Sequence, residues 1–78
     1  MKIKGGKMTF SGDGATTTFY IPHHLGEVPT VALVGKAVEN LPDIDYWEAD
    51  VSNIKVHFKT APAHGTDNVI LWWLAIKL

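Results

Sequence analysis

The stretch Ile54-Lys55-Val56-His57-Phe58-Lys59 alternates apolar and polar residues at every step. Successive side chains of a β-strand point to opposite faces, so this period of two predicts a strand with its apolar residues turned toward a core. A helix would need apolar residues three or four positions apart. No run of a dozen residues in the chain keeps that spacing without meeting glycine or proline. The stretch therefore favours an all-β fold.

Further segments of strand composition lie on both sides of this stretch, separated by turns rich in Gly, Pro, Asn and Asp. The predicted strands span residues 7–10, 15–21, 30–38, 46–51, 54–59 and 69–78. Six or seven short strands predict a small antiparallel β-sandwich of the jelly-roll or immunoglobulin-like type, and a small β-barrel is the alternative. Residues 1–6 are expected either as a flexible amino-terminal arm or as part of a solvated edge strand.

The length of the chain predicts one domain over residues 1–78, close to the lower size limit for a self-sufficient core. The chain has no cysteine, so a disulfide cannot stabilise it, and association with a partner subunit is the usual remaining means. Seven lysines balance eight acidic residues, and this even charge argues against a nucleic-acid partner. The longest apolar run, residues 69–76, is too short for a membrane-spanning helix, so no membrane partner is expected.

The carboxyl-terminal segment Val69–Leu78 is apolar on both faces, unlike the stretch at residues 54–59. A strand of a two-layer sandwich faces water on one side, so the second apolar face needs its own cover. A symmetry-related copy of the chain is the expected cover, with a trimer favoured over a dimer. The alternative is a barrel strand whose outer face packs beneath a loop. The residues predicted at the oligomer interface are Ile70, Trp72, Trp73, Leu74, Ile76 and Leu78.

The titratable and nucleophilic residues form no pattern that is typical of an active site, so no enzyme, catalytic residue or cofactor is predicted. His23 and His24 are adjacent and point apart in an extended chain, which predicts solvated or hydrogen-bonded histidines rather than metal ligands. A metal or anion held on an oligomer axis by one histidine per chain is the alternative. Asp45 and Glu48 have opposite parity on a strand and would not share a face, so a catalytic acid pair is not expected.

The exposed aromatic residues offer a different kind of site. Small β-sandwiches bind sugars by stacking them on aromatic side chains, and Tyr20, Tyr46 and Trp47 are the candidate ligand contacts of this type. Tryptophan is more often used in cores and subunit interfaces. A carbohydrate- or receptor-binding module is therefore the alternative function.

The order of turn and core residues resembles that of a known class of proteins. The motif Phe10-x-Gly12-Asp13-Gly14-x-Thr16-Thr17-x-Phe19-x-Ile21-x-His23-x-Leu25-Gly26-x-x-Pro29 is similar to the start of small β-sandwich modules in bacteriophage and viral tail, fibre and capsid-surface (decoration) proteins. Residues 54–58, 61–69 and 71–73 continue the resemblance, which covers nearly the whole chain from Phe10 onward.

This resemblance implies a non-enzymatic structural role on a virion, commonly as a symmetric trimer that contacts other virion proteins. It carries over no catalytic residue. A free-standing decoration protein, an excised fibre domain and an unrelated cellular oligomer, soluble and of unspecified compartment, are the interpretations that it leaves open.

Overall fold

The computed structural model describes residues 1–78 and consists of six β-strands joined by turns and loops. The strands are β1 (Lys2–Phe10), β2 (Thr18–Pro22), β3 (Val31–Lys36), β4 (Ile44–Ala49), β5 (Asn53–Phe58) and β6 (Val69–Lys77). They confirm the predicted all-β class.

Two separate three-stranded antiparallel sheets make up the fold. The first sheet has the order β1-β6-β3, and the second has the order β2-β5-β4. The carboxyl-terminal strand β6 is thus central in the first sheet, and β5, which contains the alternating stretch, is central in the second. The arrangement is the predicted small β-sandwich and not the barrel alternative.

The core lies between the inner faces of the two sheets. Central strands β5 and β6 supply most of it, and β2 adds two residues from the edge of the second sheet. Its buried apolar residues are Phe19, Ile21, Leu25, Ile54, Val56, Phe58, Val69, Leu71 and Ala75. Rings from three strands meet at one end, where Phe19 lies 5.1 Å from Phe10 and 5.6 Å from Phe58 between ring centroids. Each fully buried aliphatic side chain here stabilises the fold by about 1.5–3 kcal/mol.

The molecule is elongated along its strands. Its principal extents are 37, 17 and 16 Å, and a nine-residue strand such as β6 extends about 30 Å. The long axis therefore follows β1 and β6, and the outer face of the first sheet is the longer of the two.

The strand boundaries differ from the predicted ones most at the amino ends of β1 and β2, and elsewhere by one or two residues. Strand β2 begins at Thr18 and not at residue 15, so the predicted start of this strand is wrong. Residues 2–6, expected as a flexible arm, belong to β1 and pair with β6 from Lys2 opposite Lys77 to Gly6 opposite Trp73. The alternative of a solvated edge strand describes this segment. Strand β4 begins at Ile44 instead of Tyr46, because its pairing with β5 continues past a bulge between these two residues.

Candidate functional site

The outer face of the first sheet carries a continuous layer of apolar side chains. The strand register places Ile76 between Ile3 and Val31, and it places Leu74 beside Leu33. We call this surface the apolar face, and its residues are Ile3, Val31, Leu33, Ile70, Trp72, Leu74 and Ile76, with Leu78 following at the carboxyl end. Trp72 is 52% exposed, Leu33 51% and Ile3 54%. The solvent-exposed face of an antiparallel sheet ordinarily carries polar side chains, and this face carries mostly apolar ones.

The second sheet shows the ordinary arrangement. Its outward positions are occupied by Thr18 and Tyr20 of β2, Lys55 and His57 of β5, and Glu48 of β4. The two faces of the second sheet therefore differ sharply in polarity, as the alternation at residues 54–59 predicts. The apolar outer face of the first sheet is therefore the surface that departs from the ordinary pattern.

Charge is nearly absent from the apolar face. Lys7 is the only ionisable side chain at an outward position of its three strands, and its Nζ lies 4.8 Å from the centroid of the Trp72 ring. A cation over an indole face is attracted to the ring by about 0.5–1 kcal/mol at an exposed site. No carboxylate accompanies Lys7 at these positions, so burying its ammonium group there would be unfavourable.

A depression of about 250 Å³ interrupts the apolar face between β6 and β3. It is lined by Leu33, Val34, Gly35, Trp72, Trp73 and Leu74. Gly35 lies directly across from Trp72 in the strand pairing. A Cβ atom at Gly35 would have no neighbour within 4 Å, so the space above this glycine is empty.

The edge of β3 is partly closed to other strands. The Trp47 indole Nε1 donates a hydrogen bond of 2.7 Å to the Ala32 carbonyl oxygen, which ties β4 of the second sheet to β3 of the first. An edge whose carbonyl group is already paired is a poorer template for strand addition. The face of the first sheet, more than this edge, is therefore available for contact.

The structure brings together five of the six residues predicted at the oligomer interface. Ile70, Trp72, Leu74 and Ile76 share the outer face of β6, and Leu78 follows them. Trp73 differs from them: it has the parity of Val69, Leu71 and Ala75 and packs against the core, and it reaches the apolar face only as part of the lining of the depression. Adjacent residues of a strand point to opposite faces, so Trp72 and Trp73 could not both belong to one flat contact.

The three candidate ligand contacts do not form one platform. Tyr20 and Tyr46 lie on the outer face of the second sheet, 51% and 50% exposed. The Tyr46 ring stacks on His57, with 4.3 Å between ring centroids. Trp47 is the exception, because it is half-buried between the sheets and its indole N–H is occupied by Ala32.

Sequence reasoning missed the part of the apolar face outside β6. Ile3, Val31, Leu33 and Gly35 reach it only through pairing with β6. The run Val31-Ala32-Leu33-Val34 is apolar at both odd and even positions, as β6 is. This pattern could have predicted a second strand with two apolar faces. Which parity faced outward depended on the register.

Two of the three acidic groups with lowered pKa values, Asp13 and Asp50, hold turns together, whereas the pKa of Glu27 is lowered by the Lys2 ammonium group. The Thr16 hydroxyl and the amides of Thr16 and Ala15 lower the pKa of Asp13 to about 2. The amides of Asn53 and Ser52 lower the pKa of Asp50 in the turn between β4 and β5. These carboxylates accept hydrogen bonds from their own loops, which is the ordinary role of Asp in turns.

The histidines are dispersed. His23 is fully buried and hydrogen-bonded, whereas His57 lies beside Glu48, with 3.6 Å between Nε2 and Oε1. No three His, Asp or Glu side chains come close enough together to hold a metal ion.

Nothing in the structure is a helix of the length and hydropathy required to cross a membrane. Comparison of the chain with protein-family models, with curated proteins and with solved structures gives no match.

Proposed function

We propose that the chain is a non-enzymatic structural module of a virion, in a decoration or tail-fibre role, that self-associates through its carboxyl-terminal strand. The observation that carries self-association is the apolar face, on which Trp72, Leu33 and Ile3 are each about half exposed in a single copy. A contiguous apolar surface of this kind is typical of a contact site with another protein.

Energetics support a protein cover for the apolar face. Completing the burial of a half-exposed aliphatic or aromatic side chain contributes about 1 kcal/mol. A domain of this size without disulfides has a margin of only about 3–5 kcal/mol. Several such contacts would therefore add substantially to the stability of the module.

The dimensions of the molecule favour a second copy as the cover. Its broad side measures about 37 by 17 Å, or roughly 600 Å² in projection, which is of the same order as the accessible surface of about 800 Å² that a stable interface buries per partner. A partner for this side must therefore match it in length and in apolar character. A second copy offers an equally long and equally apolar surface.

The virion role rests on the resemblance of the turn and core residues to tail, fibre and decoration modules. In those assemblies, symmetric self-association adds mechanical stability to a shell or appendage. Cosedimentation of the purified chain with virus particles that lack it is the direct test of this part. Absence from the particle fraction would contradict the virion role and leave self-association standing.

The test of self-association is the molar mass in solution, measured by light scattering coupled to size exclusion over a dilution series. We expect a multiple of 8.6 kDa, and the prediction of a trimer over a dimer is decided by the same measurement. The variant Leu33→Asp places a carboxylate on the apolar face and should give the monomer mass.

A matched control is Tyr20→Asp, because Tyr20 has the same exposure as Leu33 and also lies on an edge strand, but on the opposite side of the sandwich. This variant should keep the mass of the wild type. A wild-type monomer at micromolar concentration would contradict the proposal.

A carbohydrate- or receptor-binding module is the second candidate, and the observation that favours it is the shared outward placement of Tyr20 and Tyr46. Both phenol rings are half exposed on the second sheet, away from the apolar face. Titration with a soluble glycan library, followed by the NMR signals of the two tyrosine rings, would test it. Unchanged signals throughout would contradict this candidate.

A further inference from the structure

The apolar face carries a projection and a recess in the same row of the sheet. Trp72 projects from β6, and Gly35 of β3 lies directly across from it. The tryptophan is half exposed, and the space above the glycine is open. A large side chain beside an empty position makes this row self-complementary between two copies.

Nothing within one copy explains a glycine at position 35. Its φ angle lies outside the left-handed region that favours glycine, and no atom crowds the position where a Cβ would stand. Glycine inside a strand weakens it relative to alanine and often marks a place where another group approaches closely. The missing side chain therefore indicates an approaching group from outside the chain.

We propose that two copies stack face to face about a two-fold axis that runs parallel to the strands between β6 and β3, with Trp72 of each copy seated in the Gly35 recess of the other. The proposal rests on the proposed function and specifies its geometry. Rotation about this axis places β6 of one copy over β3 of the other. The same operation sets Leu74 over Leu33 and Ile76 over Val31, so apolar rows meet apolar rows along the contact.

The position of Lys7 supports this placement of the axis. An axis between β6 and β3 leaves β1 at the rim, where the Lys7 ammonium group stays in water. A contact centred on β1 and β6 would bury Lys7 on a face that offers no carboxylate, which is unfavourable. The residues that line the depression also all belong to β3 and β6, which are the strands that the axis divides.

The geometry agrees with known packing of sheets. Two sheets that pack face to face keep their strands within about 30° of each other. An isologous pair uses the same patch on both subunits, which the matching rows of β3 and β6 provide. A tryptophan buried in a recess near the centre of a contact is typical of the residues that dominate binding energy.

The experiment fills the recess step by step. The variants Gly35→Ala, Gly35→Val and Gly35→Leu are measured by light scattering over a dilution series, with circular dichroism to show that each is folded. We expect the wild type at twice the monomer mass and a dissociation constant that rises along the series, by at least about 30-fold for Gly35→Leu. Trp72→Ala should weaken the pair similarly.

Two further variants give the control and the coupling. Thr9→Leu adds bulk on β1 of the same face but outside the proposed contact, so it should leave the dissociation constant unchanged. The combination of Trp72→Ala with Gly35→Leu should cost less than the sum of the two single variants, because the added leucine no longer meets a tryptophan.

The outcomes separate this inference from the proposed function. A wild-type monomer would overturn both. A trimer, or a dimer that tolerates Gly35→Leu as well as it tolerates Thr9→Leu, would overturn the pairing geometry and leave self-association intact.

Discussion

At the scale of single residues, His23 fastens two loops from a fully buried position. Its Nε2 donates to the Asp50 carbonyl oxygen at 2.8 Å, and its Nδ1 accepts from the Leu25 amide at 3.1 Å. A neutral imidazole has one donor and one acceptor, so this residue is satisfied at both nitrogens. The sequence predicted a hydrogen-bonded or solvated histidine here. Its complete burial depended on how the loop after β2 packs against the turn between β4 and β5.

Replacing this imidazole should be strongly destabilising. We expect His23→Ala to lower the free energy of unfolding by about 2–3 kcal/mol, because the Asp50 carbonyl and the Leu25 amide lose their partner. Urea denaturation followed by tryptophan fluorescence measures the loss. His64→Ala is the control, since His64 is exposed, and it should change stability by less than about 0.5 kcal/mol. Equal effects of the two substitutions would contradict the role of His23.

A second residue-scale prediction concerns Asp13, whose pKa is lowered from 3.8 to about 2 by the Thr16 hydroxyl first and by the amides of Thr16 and Ala15 next. A lowered pKa means that the carboxylate contributes stability above pH 3.8, and that this contribution is lost as the pH falls toward 2. Thr16→Val removes the hydroxyl, so the pKa of Asp13 should rise toward 3.8. Carbon-13 NMR titration of the carboxyl group measures it, and an unchanged midpoint would refute the assignment.

At the scale of elements, strands were predictable where their own residues carried the pattern. Strand β5 alternates strictly and was placed within one residue, and β6 was recognised by its apolar length. The first half of β1 contains lysines and glycines, and only its pairing with β6 makes it a strand. The bulge in β4 was also not predictable from the residues of β4 alone, because it arises from the register with β5. The apolar face was half predicted for this reason: β6 showed its outer side, but β1 and β3 depended on register.

The loop between β1 and β2 is hydrogen-bonded to the loop between β5 and β6. The Gly14 amide donates to the Pro62 carbonyl, the Gly65 amide donates to the Gly12 carbonyl, and the Gly12 amide donates to the Asn68 side chain. Gly12 is buried, and a Cβ atom there would fall on the carbonyl oxygen of Ala63. The close approach of the two backbones therefore requires glycine at this position.

Adding one methyl group should break this pair of loops. We expect Gly12→Ala to lower the free energy of unfolding by about 1–3 kcal/mol, because the backbone of one loop must move away from the other. Chemical denaturation at high dilution measures the effect. Gly35→Ala is the matched control, since its new methyl group enters open space, and it should not destabilise the dissociated chain. A neutral Gly12→Ala would contradict the close approach of the loops.

At the scale of the whole molecule, the two outer faces divide the sandwich into a side suited to water and a side suited to a partner. The second sheet turns charged and hydrogen-bonding groups outward, whereas the first sheet turns outward a row of aliphatic and indole side chains with Lys7 as its one charge. A 78-residue chain buries a small core, with nine apolar residues in its buried cluster. Under the proposed self-association, a second copy over the apolar face would add the layer that a core of this size lacks.

Self-association would make the thermal stability of the chain depend on protein concentration. Unfolding of an associated chain is coupled to its dissociation, so mass action raises the melting temperature as the concentration rises. For a paired domain of this length we expect a rise of about 3–5 °C for each tenfold increase in concentration. Differential scanning calorimetry over a hundredfold range measures it. Leu33→Asp should melt at one lower temperature throughout, whereas Tyr20→Asp should retain the slope of the wild type. A wild-type melting temperature that does not move with concentration would mean that the apolar face is uncovered in solution, and that one copy is stable without a partner.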